Sequence, residues 1–151
     1  MKKEAILVSA CLLGVPCRYD GASKPCPAVA ELEKHYRLIS VCPEQLGGLP
    51  TPRPASEIGP DGRIRNRLGA DVTEQYRAGA EAALRLALAN GCRIAVLKEK
   101  SPSCGSGRVY DGTFGGVLTK GNGITAELLQ KNGIRVIGES EIPDLLRDIV
   151  V

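Results

Sequence analysis

The chain has 151 residues, of which 43% are hydrophobic and 25% charged, and a formal net charge of +3. That is ordinary globular composition, long enough to bury a core, and it excludes wholesale disorder. The mild charge gives no strong nucleic-acid signal, and four Tyr with one Phe weaken any proposal built on aromatic stacking.

Residues 4–10 form a short apolar run that reads as a buried parallel strand leading straight into Cys11. Residues 28–36 read as a helix, with Pro25 and Pro27 at its start. Arg37–Val41 reads as a second strand and runs into Cys42-Pro43-Glu44. Residues 43–69, rich in Pro and Gly, read as one long irregular segment, the kind that carries function. Asp71 and Glu74 have the spacing of a capping box, and the apolar stripe from Val72 and Tyr76 to Leu88 predicts a helix that Asn90-Gly91 ends. Arg93–Leu97 predicts a third strand, followed by the loop that holds Ser101, Ser103 and Cys104. Residues 105–123, with seven Gly, predict loop or hairpin. A helix over 124–131, a strand over 134–137 and a terminal helix over 142–149 complete the chain. This alternation implies an α/β fold: one domain over residues 1–151, with a Rossmann-like or flavodoxin-like parallel sheet and helices on both faces. No G-x-G-x-x-G or P-loop follows the first strand, so a dinucleotide site has little support. One short echo links Arg18-Tyr-Asp-Gly21 with Val109-Tyr-Asp-Gly112, both read as turns.

No run of 18 apolar residues predicts a membrane span, and the start lacks the features of a signal peptide, so the expected compartment is the cytoplasm. In a reducing compartment, loop cysteines point to metal binding or catalysis rather than to disulfides. The six cysteines (11, 17, 26, 42, 92 and 104) contain no C-x-x-C pair. The one histidine, His35, removes Cys2His2 zinc and reads as a solvated residue.

Cys11, Cys42 and Cys104 each follow the carboxyl end of a different predicted strand, where open α/β sheets bind ligands. Three thiolates can hold a metal centre and leave one position open, as catalytic sites require. A 4Fe-4S cluster with one unligated iron fits this donor set, and soft thiolates also suit zinc. Cys17 would close the site if it were a fourth ligand. The bland reading is small residues buried at strand ends; Cys92 reads as core and Cys26 as an incidental thiol. Glu44 lies two residues from Cys42, close enough to move protons, or it is only a charge at a helix start. Ser101 and Ser103 offer hydroxyls to a substrate or a cluster, or they merely form a turn beside Pro102. Lys98 and Lys100 add positive charge there. Arg53, Arg63, Arg65 and Arg67 read as loop charges, with Arg53 within possible reach of a substrate carbonyl.

Several motifs resemble the domain-of-unknown-function 523 family, whose characterised members are thiouracil desulfidases. They are Ser9-Ala-Cys-Leu-Leu-Gly14, Arg18-Tyr-Asp-Gly21, Cys42-Pro-Glu44, Gly47-Gly-Leu49, Pro52-Arg53, Gly69-Ala-Asp-Val-Thr73, Leu97-Lys98 and Ser101-Pro-Ser-Cys-Gly105. The resemblance covers roughly residues 5–140. It implies an oxygen-sensitive 4Fe-4S cluster held by Cys11, Cys42 and Cys104. It also implies removal of sulfur from a thiolated pyrimidine base without net redox change, giving uracil and hydrogen sulfide from 2-thiouracil. Glu44 takes the acid/base position and Ser101 that of the active-site serine, with Ser103 beside it; the open iron would bind the substrate sulfur. The residues alone leave two other readings open. One is a non-enzymatic zinc or iron–sulfur sensor or structural domain, and the other is a desulfurase for thiolated nucleosides. They do not indicate an oligomeric state.

Overall fold

The computed structural model describes residues 3–150. Four parallel strands form the central sheet: β1 (Glu4–Ser9), β2 (Tyr36–Val41), β5 (Ile94–Leu97) and β8 (Arg135–Gly138), in the order β2-β1-β5-β8. The register sets Ser9 opposite Val41, Val8 opposite Val96, and Leu97 opposite Gly138. Strand side chains alternate between faces. Ala5, Leu7, Ala95 and Leu97 therefore meet α3 (Thr73–Ala89) and α4 (Ile124–Lys131), through Ala83, Ala87, Ala126 and Leu129. Ile6, Val8, Val96 and Ile137 meet α1 (Pro27–Leu32) and α5 (Ile142–Val150), through Val29, Leu32, Ile142 and Leu145. Ile6, Leu7 and Val8 are fully buried, and each contributes about 1.5–3 kcal/mol of transfer free energy. The α/β architecture with helices on both faces is the one expected from the sequence.

From β1 the chain crosses to one side of the sheet, and from β5 to the other. Adjacent strands whose connections diverge leave a crevice at their carboxyl ends. The loops after β1, β2 and β5 gather at this crevice.

The segment between Cys42 and Asp71 is not one irregular loop. It opens with a four-residue helix, α2 (Pro43–Leu46), and closes with a hairpin of β3 (Ser56–Ile58) and β4 (Ile64–Asn66). A second small hairpin joins β6 (Arg108–Tyr110) to β7 (Leu118–Lys120). α1 is shorter than the predicted 28–36, because its last turn loosens at residues 33–35. The expected capping box does not form either. Asp71 accepts the Thr73 N–H at 3.0 Å and its hydroxyl at 2.6 Å, while Glu74 pairs with Arg77 at 2.9 Å. The Thr73 hydroxyl in turn accepts the Ile64 N–H at 2.9 Å, which ties the helix start to β4.

α2 lies against α3 at the closest approach two backbones can make. A Cβ on Gly47 would stand 1.9 Å from the Gln75 carbonyl oxygen, and one on Gly79 would stand 1.9 Å from that of Pro43. Only glycine fits at either position, and this contact sets the height of Glu44 above the sheet.

Candidate active site

Three loops build the site. The first leaves β1 as a 3-10 turn over Ala10–Leu13, which carries Cys11 and ends at Gly14 in a left-handed conformation. Cys11 O accepts the Lys24 N–H at 2.9 Å, which folds residues 14–24 back over the site. The second is Cys42 itself, followed by Pro43 at the first position of α2, where a missing N–H costs nothing. The third, Ser101–Gly105, is fastened to the start of α4. The N–H groups of Gly123, Ile124 and Thr125 donate to the carbonyls of Gly105, Pro102 and Ser103 at 2.7–2.9 Å. The first amides of a helix lack intrahelical partners, so the loop and the helix satisfy each other.

Cys11, Cys17, Cys42 and Cys104 all line one cavity of about 480 Å3, together with Glu44, Arg53, Tyr76, Lys98 and Ser101. That volume is typical of small-molecule sites (roughly 300–1,000 Å3) and exceeds the needs of one six-membered ring. The cysteines are free. Burial pushes the Cys11 and Cys104 thiols up; Lys98 partly offsets this at Cys11, and a hydrogen bond with Ser9 does so at Cys104. Cys17 is raised to about 12 by burial and by the adjoining Cys42 thiol. Among the described residues, no three His, Cys, Asp or Glu side chains stand close enough to hold a single metal ion. The cysteines share a cavity without converging on one point. A cluster spreads its thiolates over separate irons, whereas a lone tetrahedral zinc draws its donors to one point, and the soft thiolate donor set present in the cavity is of the kind a cluster takes.

Glu44 is held by residues from three separate segments. Its Oε2 accepts two hydrogen bonds, from Arg53 Nε at 2.9 Å and from the Tyr76 hydroxyl at 3.0 Å, and Arg53 Nη2 stands 2.8 Å away in the same ion pair. Its Oε1 meets only the Ser101 hydroxyl, at 3.5 Å, longer than a formed O–H···O bond. Burial and the Glu44 carboxylate push the Tyr76 phenol up, so it stays a donor. Arg53 also donates to Cys17 O at 3.0 Å, and Cys42 Sγ reaches the same carbonyl at 3.7 Å. One guanidinium therefore joins the carboxylate to the loops that carry two of the cysteines.

The sequence-predicted residues separate here. Cys11, Cys42, Cys104, Glu44 and Ser101 come together. Ser103 does not: it is fully buried, bonds Thr125 Oγ1 at 2.7 Å and holds the loop to α4, outside the cavity. Cys92 is core, as expected. Arg53 is not a loop charge but the buried partner of Glu44. Tyr76 read only as part of the apolar stripe of α3, although a buried Tyr hydroxyl needs a partner. Lys98 pairs with Glu139 at 2.8 Å, and its own N–H bonds Ser9 Oγ at 2.9 Å, which ties together the ends of β1, β5 and β8. Arg18, Lys24, Arg67 and Lys100 also line the cavity, and among the described residues none of the four is ion-paired.

Comparison with known proteins bears on the fold and the family. A solved structure of a [4Fe-4S]-dependent thiouracil desulfidase, TudS, superposes with a TM-score of 0.90 at 49% identity, covering 98% of this chain and 99% of that one. The uncharacterized protein YbbK of Bacillus subtilis (strain 168) is 44% identical over 93% of this chain and 99% of its own length. Residues 6–141 match the family described as 2-thiouracil desulfurase, and the chain belongs to that family.

Proposed function

We propose that this protein is a 4Fe-4S-dependent desulfidase that hydrolyses the C–S bond of a thiolated pyrimidine such as 2-thiouracil, with Cys11, Cys42 and Cys104 holding the cluster. The observation that carries this reading is the meeting of three strand-end cysteines with a braced carboxylate in one cavity. When bound, a cluster with three protein ligands supplies a Lewis-acidic iron able to take a thiocarbonyl sulfur. The balance is simple: thiocarbonyl plus water gives carbonyl plus hydrogen sulfide, with no electrons exchanged.

The residues of the chain handle the protons. Glu44 takes one from the attacking water and returns it to the departing sulfur. Arg53 and Tyr76 occupy Oε2, so the exchange runs through Oε1, on the Ser101 side. Ser101 orients the water or the ring carbonyl, while its Oγ accepts the N–H groups of Ser103 and Cys104 at 3.1 and 3.2 Å. Those two bonds fix the hydroxyl and leave its proton free to donate.

Four cavity cations without an ion pair among the described residues favour a second substrate reading, a thiolated nucleoside, whose sugar or attached anion would reach Arg18, Lys24, Arg67 or Lys100. The sensor reading gains no support from a cavity with a built carboxylate.

Anaerobic reconstitution with iron and sulfide, followed by 2-thiouracil, tests the proposal. Uracil and sulfide should appear in equal amounts. Cys11→Ser, Cys42→Ser and Cys104→Ser should each lose iron, and Cys17→Ser should keep it. A loaded protein inert toward thiolated bases and nucleosides refutes the activity. Iron loss in Cys17→Ser equal to that in Cys11→Ser refutes the three-ligand site.

A further inference from the structure

The chain has four Tyr and one Phe, and Tyr19, Tyr76, Tyr110 and Phe114 all line this one cavity. Tyr76 is committed to Glu44. The other three make no such bond to Glu44, none belongs to the buried core, and Arg18 lies over one face of the Tyr19 ring, 5.7 Å from its centroid.

The short sequence echo explains two of them. In Arg18-Tyr-Asp-Gly21, Asp20 Oδ1 accepts the Ala22 N–H at 3.0 Å. In Val109-Tyr-Asp-Gly112, Asp111 Oδ1 accepts the Thr113 N–H at 3.0 Å. The glycines take φ values of +76° and +95°, conformations in which other residues are strained. The two segments share this Asp contact and a positive-φ glycine, although Gly21 N–H closes on Arg18 O while Gly112 N–H goes to Glu57, and both tyrosines line the cavity.

Phe114 follows the second turn. Its φ of +57° is one that bulky L-residues avoid. The chain holds it there. Glu57 Oε1 accepts the N–H groups of Gly112 and Phe114 at 3.0 and 3.1 Å. A Cβ on Gly112 would stand 2.8 Å from the Ile58 carbonyl oxygen, so the β6–β7 hairpin sits directly on the β3–β4 hairpin. Arg67 lies over the ring, 5.5 Å from its centroid, and covers one face. Strained residues persist where their surroundings over-determine them, and such places cluster at ligand sites. Phe114 is braced from two hairpins yet half exposed to the cavity, a placement that core packing does not explain.

We infer that Tyr19, Tyr110 and Phe114 form a ring-recognition wall that selects planar heteroaromatic substrates by stacking. The inference rests on the pyrimidine reading above and names the part of the site that recognises the ring. An aromatic face attracts any flat π-system and discriminates against a puckered ring of the same hydrogen-bonding pattern.

The test uses matched rings with the anaerobically reconstituted protein. Equilibrium dialysis compares uracil with 5,6-dihydrouracil, and sulfide release compares 2-thiouracil with its 5,6-dihydro analogue. The wild-type protein should prefer the planar member of each pair. Phe114→Leu and Tyr19→Leu should weaken uracil binding roughly 5- to 150-fold, the usual size of a lost base–aromatic stack, and should affect dihydrouracil far less. Tyr19→Phe should keep the preference, and iron content per chain should match the wild type. A planar-to-puckered ratio unchanged in both leucine variants overturns the inference. Preference for uracil without sulfide release would sink the desulfidase reading and leave the wall standing.

Discussion

Replacing Arg53 with Met removes a buried cation and keeps most of its apolar stem. The side chains of Arg53 and Glu44 are 4% and 15% exposed, so water can replace the vacated bonds only from the cavity side of Glu44. Glu44 Oε2 keeps only the Tyr76 hydroxyl, and Cys17 O loses its guanidinium donor. Stranding one partner of a buried pair costs about 3–5 kcal/mol. At roughly 2–4 °C per kcal/mol for a chain of this size, the melting point should fall by about 6–20 °C. Denaturant unfolding of the cluster-free chain measures it. The double variant Arg53→Met/Glu44→Gln strands no charge and should recover most of the loss, because a removed pair costs less than a broken one. An internal control is Arg65→Met: Arg65 and Asp61 are 44% and 50% exposed, and that pair should be worth at most about 1 kcal/mol. A loss of about 1 kcal/mol or less in Arg53→Met, or a double variant as unstable as the two singles combined, refutes the reasoning.

Two further predictions concern the elements around the site. Asp71 is held well below the usual carboxylate range, first by its hydrogen bond from Arg63 and then by Thr73, and Asp61 is held at about 2 by Arg65. A carboxyl depressed in the folded state stabilises above its ordinary value of 3.8 and loses that contribution as pH falls through the folded value. Urea midpoints should therefore drop between about pH 4 and pH 2, and Asp61→Asn/Asp71→Asn should flatten that limb; an unaltered slope would count against these pairs. Gly79→Ala in a helix interior would ordinarily stabilise by about 1 kcal/mol. Here the new methyl meets the Pro43 carbonyl, so the sign should reverse to a loss of about 1–3 kcal/mol, with sulfide release falling as Glu44 shifts; a stabilised, fully active Gly79→Ala excludes the close contact.

The parallel sheet was legible because each of its strands is a short apolar run between helix signals, and α4 falls on the expected residues 124–131. The hairpin of β3 and β4 was not, since three residues per strand carry no readable period. The spacing around Asp71 suggested a capping box, but Thr73 was drawn toward Ile64 instead, a tertiary contact that local sequence does not contain. At the site, strand-end position alone picked out Cys11, Cys42 and Cys104. It could not separate Ser101 from Ser103, because which hydroxyl faces the cavity depends on where α4 docks. Low aromatic content argued against stacking, yet four of the five aromatics converge on one cavity: composition counts residues and is blind to where they gather. Arg53 and Tyr76 lie 9 and 32 residues from Glu44, and nothing local announces that they meet.

The burial of Cys11 and Cys104 also bears on how the proposed cluster would be loaded. Both thiols are pushed upward, so the empty chain keeps them protonated near neutral pH. Thiolates alone ligate iron, so every proposed ligand bond that forms at these positions must discharge a proton into the medium. Maturation should thus acidify a weakly buffered solution and run faster in alkaline medium than in acid, whatever the finished enzyme's own pH preference turns out to be.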